Sequence, residues 1–184
     1  MTLHEVASRL LAELQHAGIA SMVVGSFASS YHGEPRMTRD LDVVIDPTSD
    51  SLGRLLDRLQ AAGFYADRVA ARQAVAERTQ FNVIDPASGW KVDLIIRKER
   101  AFSRGEFERR QAAALPMGQV AIATAEDTIL AKLEWGRSGE SERQLRDVAG
   151  IVAVSGPQLD LVYLDRWADQ LGVRESWERV RPKG

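Results

Sequence analysis

RMTRDLDVVID, residues 36–46, decides how this chain is read. From Asp40 the residues alternate polar and apolar, and on a strand side chains two apart share a face. Asp40 and Asp42 therefore fall on one face, Leu41, Val43 and Ile45 fall on the other, and Asp46-Pro47 closes the segment. Such a strand is half-buried, its apolar side under helices and its acidic side open. Downstream, VDLII at 92–96 repeats the pattern, with Val92, Leu94 and Ile96 opposite Asp93. As neighbours, the two strands would gather three carboxylates on one open face. Like charges repel strongly in a partly dehydrated site, and a hard divalent cation relieves that cost. Each acid alone reads more readily as a solvated strand charge, so the case rests on their combination and order.

The flanking elements supply the layer that covers the apolar side. Thr2 and Glu5 form a capping box before Leu3, Val6, Leu10 and Leu14 at helical spacing, and Gly18 stops that helix. Ala20 to Val24 is a short buried strand feeding a tight turn at Gly25-Ser26. Residues 27–31 suit one or two helical turns, broken at His32-Gly33-Glu34-Pro35. Residues 51–62 form an amphipathic helix through Leu52, Leu55, Leu56 and Leu59, whereas 68–77 read as a weaker helix or an irregular segment. Residues 80–84 and 90–96 form a hairpin across Asp85-Pro86-Ala87-Ser88-Gly89. From Thr124 the character turns helical, with segments beginning near Thr124, Ser141, Asp160 and Glu175. The expected division is a core over 1–123 and a C-terminal helical region over 124–184.

Composition limits the function classes. The 184 residues are 45% hydrophobic and 27% charged with a net charge of −2, which excludes a globally basic nucleic-acid coat protein but not a local basic patch. The chain has no cysteine, so thiolate metal sites, disulfides and cysteine nucleophiles are excluded. MTLHEVASRLLAELQ lacks the uninterrupted apolar core of a signal peptide, and no stretch has the length of a membrane span. The expectation is a cytoplasmic protein with no membrane partner.

Gly25-Ser26, thirteen intervening residues, Asp40-Leu41-Asp42 and the later strand carboxylate Asp93 resemble the signature of the polymerase-β-like nucleotidyltransferase superfamily. RMTRDLDVVID resembles the Arg-x-Ser/Thr-x-Asp-Leu-Asp segment of its small bacterial members. TAEDTILAKLEWGRSGESERQLRDVAGI, residues 124–151, resembles the downstream helices of the AbiEii and MenT-like toxins, with Lys132 and the pair Arg146-Asp147 at matching positions. The resemblance implies an α+β fold, with an α/β core holding a mixed, mostly antiparallel sheet, helices on one face and a C-terminal helical region. It implies transfer of a nucleoside monophosphate from an NTP to a hydroxyl acceptor. Asp40, Asp42 and Asp93 would hold Mg²⁺ (or Mn²⁺), with Asp93 also helping to activate the acceptor hydroxyl. Gly25 and Ser26 would hold phosphates at a helix N-terminus, with Thr38 and Lys132 as further nucleotide-binding residues. The implied acceptor is tRNA or another RNA, otherwise a small molecule or a protein, and an antitoxin protein is the implied partner.

Other residues carry two readings each. Arg36, Thr38 and Arg39 either steady the approach to the strand or touch phosphate. Lys132 is either a solvated helix charge or a grip on the triphosphate. Arg146 and Asp147 pair with each other or with the site, one of them structural. His32 reads as polar surface, Trp135 and Trp167 as core, and Glu126-Asp127 as first-turn acids favoured by the helix dipole. RKERAFSRGEFERR, residues 97–110, holds six basic residues against three acidic ones, either a basic rim for a polyanionic acceptor or a self-paired surface. Two rival functions stand beside transfer: a non-catalytic, antitoxin-like binder of nucleotide or partner, and a metal-dependent phosphohydrolase, disfavoured by the lack of a His-rich site.

Overall fold

The computed structural model describes every residue of the chain except Arg39, Ser138, Glu140, Lys183 and Gly184. Its contacts divide it into two compact units: Met1–Val23 with Thr38–Ile122, and Val24–Met37 with Ala123–Gly184. The expected division is at 123/124; here Val24–Met37 groups with the C-terminal helices, and Ala123 goes with them.

The first unit is built on a sheet. In chain order it holds α1 (Leu3–His16), β1 (Ser21–Val24), whose last residue falls in the other unit, and, after a departure into α2 (Gly25–His32), β2 (Leu41–Ile45). Then come α3 (Ser49–Ala61), α4 (Arg68–Glu77), β3 (Gln80–Ile84), β4 (Lys91–Ile96), α5 (Ala101–Glu108), β5 (Gln111–Leu115) and β6 (Gly118–Ile122). The strand order is β3-β4-β2-β1-β6-β5. β3–β4 and β5–β6 pair antiparallel, while β2–β4 and β1–β6 pair parallel. The Asp46 amide donates to Ala20 O at 3.4 Å, which sets the end of β2 beside the start of β1, an antiparallel pairing. The sheet is thus mixed and mostly antiparallel.

Local chemistry explains the covering helices. The Thr2/Glu5 capping box starts α1, and Leu3, Val6, Ala7, Leu10 and Leu14 form its buried stripe. A second capping box, Thr48 with Ser51, starts α3 and buries Leu52, Leu55, Leu56 and Leu59. Asp67 caps α4, so 68–77 is a regular helix. Beneath them the alternate residues Leu41, Val43, Ile45, Val92, Leu94 and Ile96 are all fully buried. The hairpin turn between β3 and β4 is fastened by Asp85, which accepts bonds from the Ser88 amide and hydroxyl.

The second unit is helical: α2, α6 (Ala125–Gly136), α7 (Ser141–Ser155), a 3₁₀ turn at Gly156–Gln158, α8 (Leu161–Gln170) and α9 (Arg174–Glu178). Thr124 caps α6 and Asp160 caps α8. α2 packs against both α6 and α7, which is why 24–37 groups with them. Trp177, fully buried, is its large core aromatic; Trp135, expected in the core, is 62% exposed. No helix of the described residues is long and apolar enough to cross a membrane.

Candidate active site

β2 and β4 lie side by side and parallel, in a register that sets Asp42 opposite Asp93. Their apolar neighbours are buried on one face, so the pleat puts both carboxylates on the other. Asp42 is half-buried, and the Asp93 side chain is only 14% exposed. Lys91, two residues before Asp93 on the same face, brings Nζ to 3.3 Å from Asp93 Oδ1, but without hydrogen-bond alignment. Buried Oδ1 therefore has no hydrogen-bond donor among the described residues. Asp40 is exposed and precedes β2, outside the paired register. Thr38 Oγ1 donates to Asp40 O at 3.1 Å and lies 3.4 Å from the Asp40 amide, so Thr38 steadies the chain just before the strand. The register thus pairs Asp42 with Asp93 and begins one residue after Asp40. Among the described residues no three His, Cys, Asp or Glu side chains gather closely enough to hold an ion by themselves.

In the second unit, Gly25 turns the chain from β1 into α2 at φ +64, a conformation that a side chain would strain. Val24, the N-cap of α2, makes no side-chain capping bond, and a helix N-terminus favours an anion. Ser26 Oγ accepts a 2.7 Å bond from Arg36 Nη2. Arg36 is itself clamped by Asp147, through Nε to Oδ1 and Nη2 to Oδ2, both 3.0 Å. Asp147 Oδ2 also accepts from Lys132 Nζ at 2.7 Å, and Nζ donates to Gln144 Oε1 at 3.1 Å. Ser26, Arg36, Asp147 and Lys132 thus form one continuous chain of bonds. Burial pulls the Lys132 ammonium below its ordinary pKa, against the opposing pull of Asp147. Burial pushes Asp147 upward, but the bonds from Lys132 and Arg36 outweigh it and hold the carboxyl below its usual value.

Lys132 is 6% exposed and bonded inside its own unit, neither solvated nor reaching outward. Asp147 pairs with Arg36 and Lys132, not with Arg146, which is exposed. Arg39 lies outside the described residues. His32 is not polar surface: it is 8% exposed and donates from Nε2 to Ala123 O at 2.7 Å. Burial lowers its pKa, against the opposing pulls of the Ala123 bond and Glu126. Asp127 is more than a first-turn acid, being fully buried and accepting from Tyr163 OH at 2.6 Å and Thr124 Oγ1 at 2.8 Å. The basic stretch is paired in part: Arg97 meets Glu99 within the stretch and Asp46 outside it, and Arg104 meets Glu99 at 3.7 Å. Sequence reading missed Lys91, whose only signal was its position two residues before Asp93. It also missed the Arg36–Asp147 clamp, whose partners are 111 residues apart.

No family model matches the chain, and no curated protein matches it. Solved structures do. ANT(2")-Ia in complex with adenylyl-2"-tobramycin aligns with a TM-score of 0.62 at 11% identity, over 95% of this chain and 99% of that one. An antigenic nucleotidyltransferase-like protein from Paracoccidioides brasiliensis aligns at 0.57 and 17%, over 99% and 94%. The lincosamide antibiotic adenylyltransferase LnuA, lincomycin-bound, aligns at 0.51 and 12%, over 84% and 98%. At these identities the likeness establishes the fold, which is that of the nucleotidyltransferases.

Proposed function

We propose that this chain transfers a nucleoside monophosphate from an NTP to a hydroxyl acceptor. The observation that carries the reading is the register of β2 and β4, which places Asp42 opposite Asp93 with a buried Asp93 oxygen that has no hydrogen-bond donor among the described residues. Two carboxylates directly opposite each other repel, and an acceptor atom buried without a donor is costly. Both features suit a hard cation, and Mg²⁺ commonly takes one or two carboxylates and completes its ligands with substrate phosphates. Asp42 and Asp93 would hold it, with Asp40 joining as a third ligand. Bound there, the ion would offset the gathered negative charge and polarise the phosphoryl oxygens. Gly25 and Ser26, with the first amides of α2, would hold the β- and γ-phosphates. Arg36 donates to Ser26 Oγ, so the hydroxyl hydrogen of Ser26 is left to point at phosphate. In the reaction the acceptor oxygen attacks the α-phosphorus, the bond to the leaving pyrophosphate breaks, and Asp93 takes the acceptor proton.

The resemblance to AbiEii and MenT-like toxins supports an RNA end as the acceptor and an antitoxin as partner. The antibiotic ligands of the ANT(2")-Ia and LnuA structures support a small hydroxylated acceptor instead. A second reading, nucleotide or partner binding without transfer, draws on the lack of a ready three-carboxylate group among the described residues. Labelled NTPs with Mg²⁺ and either total RNA or a panel of small hydroxylated compounds separate these. Label should enter an acceptor, disappear with excess chelator, and be lost in Asp42→Asn and Asp93→Asn while the fold persists. Undiminished transfer in either variant ends the catalytic assignment; NTP binding without any transfer favours the second reading.

A further inference from the structure

Two cations on α7 stand without partners at one pocket. Arg143 and Arg146 stand three apart on that helix, both exposed, with no ion pair or hydrogen bond to any described residue. Both line a pocket of about 340 Å³ inside the helical unit, with Arg36, Glu34 and Ser29 among the other walls. Asp147 and Ser26 occupy Nε and Nη2 of Arg36, and its Nη1 has no partner among the described residues. The pocket is lined by three cations (Arg36, Arg143, Arg146) against two carboxylates (Glu34, Asp147), and Lys132 bonds Asp147 besides, in a chain whose net charge is −2.

That arrangement is unfavourable as it stands. Arg143 sits in the first turn of α7, where the helix dipole disfavours a cation, and Arg146 adds a like charge at i+3. An anion in the pocket would remove both costs, and guanidinium forks match the oxygens of phosphate. We infer that the Arg36–Arg143–Arg146 pocket is an anion site that takes the phosphate groups of a phosphorylated ligand. Which phosphate it takes rests on the nucleotidyl-transfer reading: the tail of the nucleotide, or a phosphate of the acceptor.

The test uses inorganic pyrophosphate as probe, titrated calorimetrically into the full chain at low and at physiological salt. Pyrophosphate should bind, and Arg143→Ala/Arg146→Ala should weaken it at least tenfold, with added salt weakening the wild type more than the variant. Both side chains are exposed, so the thermal midpoint should hardly move. Displacement of pyrophosphate by NTP assigns the site to the nucleotide, and displacement by a 5′-phosphorylated oligoribonucleotide assigns it to the acceptor. Absence of binding, an unchanged affinity in the double variant, or displacement by neither ligand overturns the proposal. Asp93→Asn keeps the two ideas apart, because it should abolish transfer and leave pyrophosphate binding intact. Transfer that survives in Asp93→Asn would sink the catalytic reading and leave the anion site standing.

Discussion

Asp147 holds two cations with one carboxylate, and its replacement should be costly to the helical unit. Its side chain is 9% exposed, and Lys132, 6% exposed, would be left with only Gln144. Breaking a buried pair from one side leaves an uncompensated charge, at about 3–5 kcal/mol, so Asp147→Ala should lower the urea midpoint steeply. Lys132→Ala should cost less, about 1–3 kcal/mol, because Arg36 still satisfies Asp147. Weakened NTP binding in Lys132→Ala with an unmoved urea midpoint would instead mean that Lys132 meets the triphosphate directly. His32 makes a different, pH-dependent contribution. Its folded pKa lies below the ordinary 6.5 because burial disfavours the charged ring. The unfolded chain therefore binds the proton first, and the stability supplied by neutral His32 is present above pH 6.5 and falls as the pH drops below it. His32→Gln should flatten that part of the profile of unfolding free energy against pH; an unchanged slope would place the acid sensitivity elsewhere.

Helix packing sets the tolerances at the next scale. At Gly33, where α2 ends, a Cβ would lie 2.7 Å from the Ile151 amide nitrogen and 2.8 Å from the Gly150 carbonyl carbon. Backbone cannot swing aside as a flexible side-chain end can, so Gly33→Ala must push α2 off α7. The expected loss is about 1–3 kcal/mol in chemical denaturation, and a loss below half of that would mean the helices part freely. Asp127 fastens a second junction, drawing Tyr163 of α8 onto α6. Other elements show where local preference was a poor guide. β5, Gln-Ala-Ala-Ala-Leu, has the composition of a helix and is a strand only because β6 pairs along its length. Gly118, at φ +116, makes the turn that folds the pair back on itself.

For the chain as a whole, the grouping of 24–37 with the C-terminal helices has a practical result. A fragment ending at residue 122 would keep every strand and lose α6 and α7, against which α2 packs. Its 25–37 segment should be cut rapidly by protease while the same segment of the full chain resists. Equal protection in both would show that α2 is held without those helices.

The alternation around Asp40-Leu41-Asp42 and Val92-Asp93-Leu94 determined by itself that two strands bury one face and expose acids on the other, because strand periodicity is local. The caps at Thr2 and Thr124 likewise mark their helices from four neighbouring residues, whereas the cap at Thr48 went unread. Turn chemistry was legible too, since Gly25 supplies the positive φ that the step from β1 into α2 requires. What only the tertiary structure decided depends on partners far apart in the chain. The β2–β4 register joins residues about fifty positions apart, and it is this register that selects Asp42 with Asp93 and leaves Asp40 outside. Arg36 finds Asp147 across 111 residues, and that clamp turned Lys132 from a surface charge into a buried one. Sequence names the charges, but desolvation and pairing choose among them, and both are set by the fold.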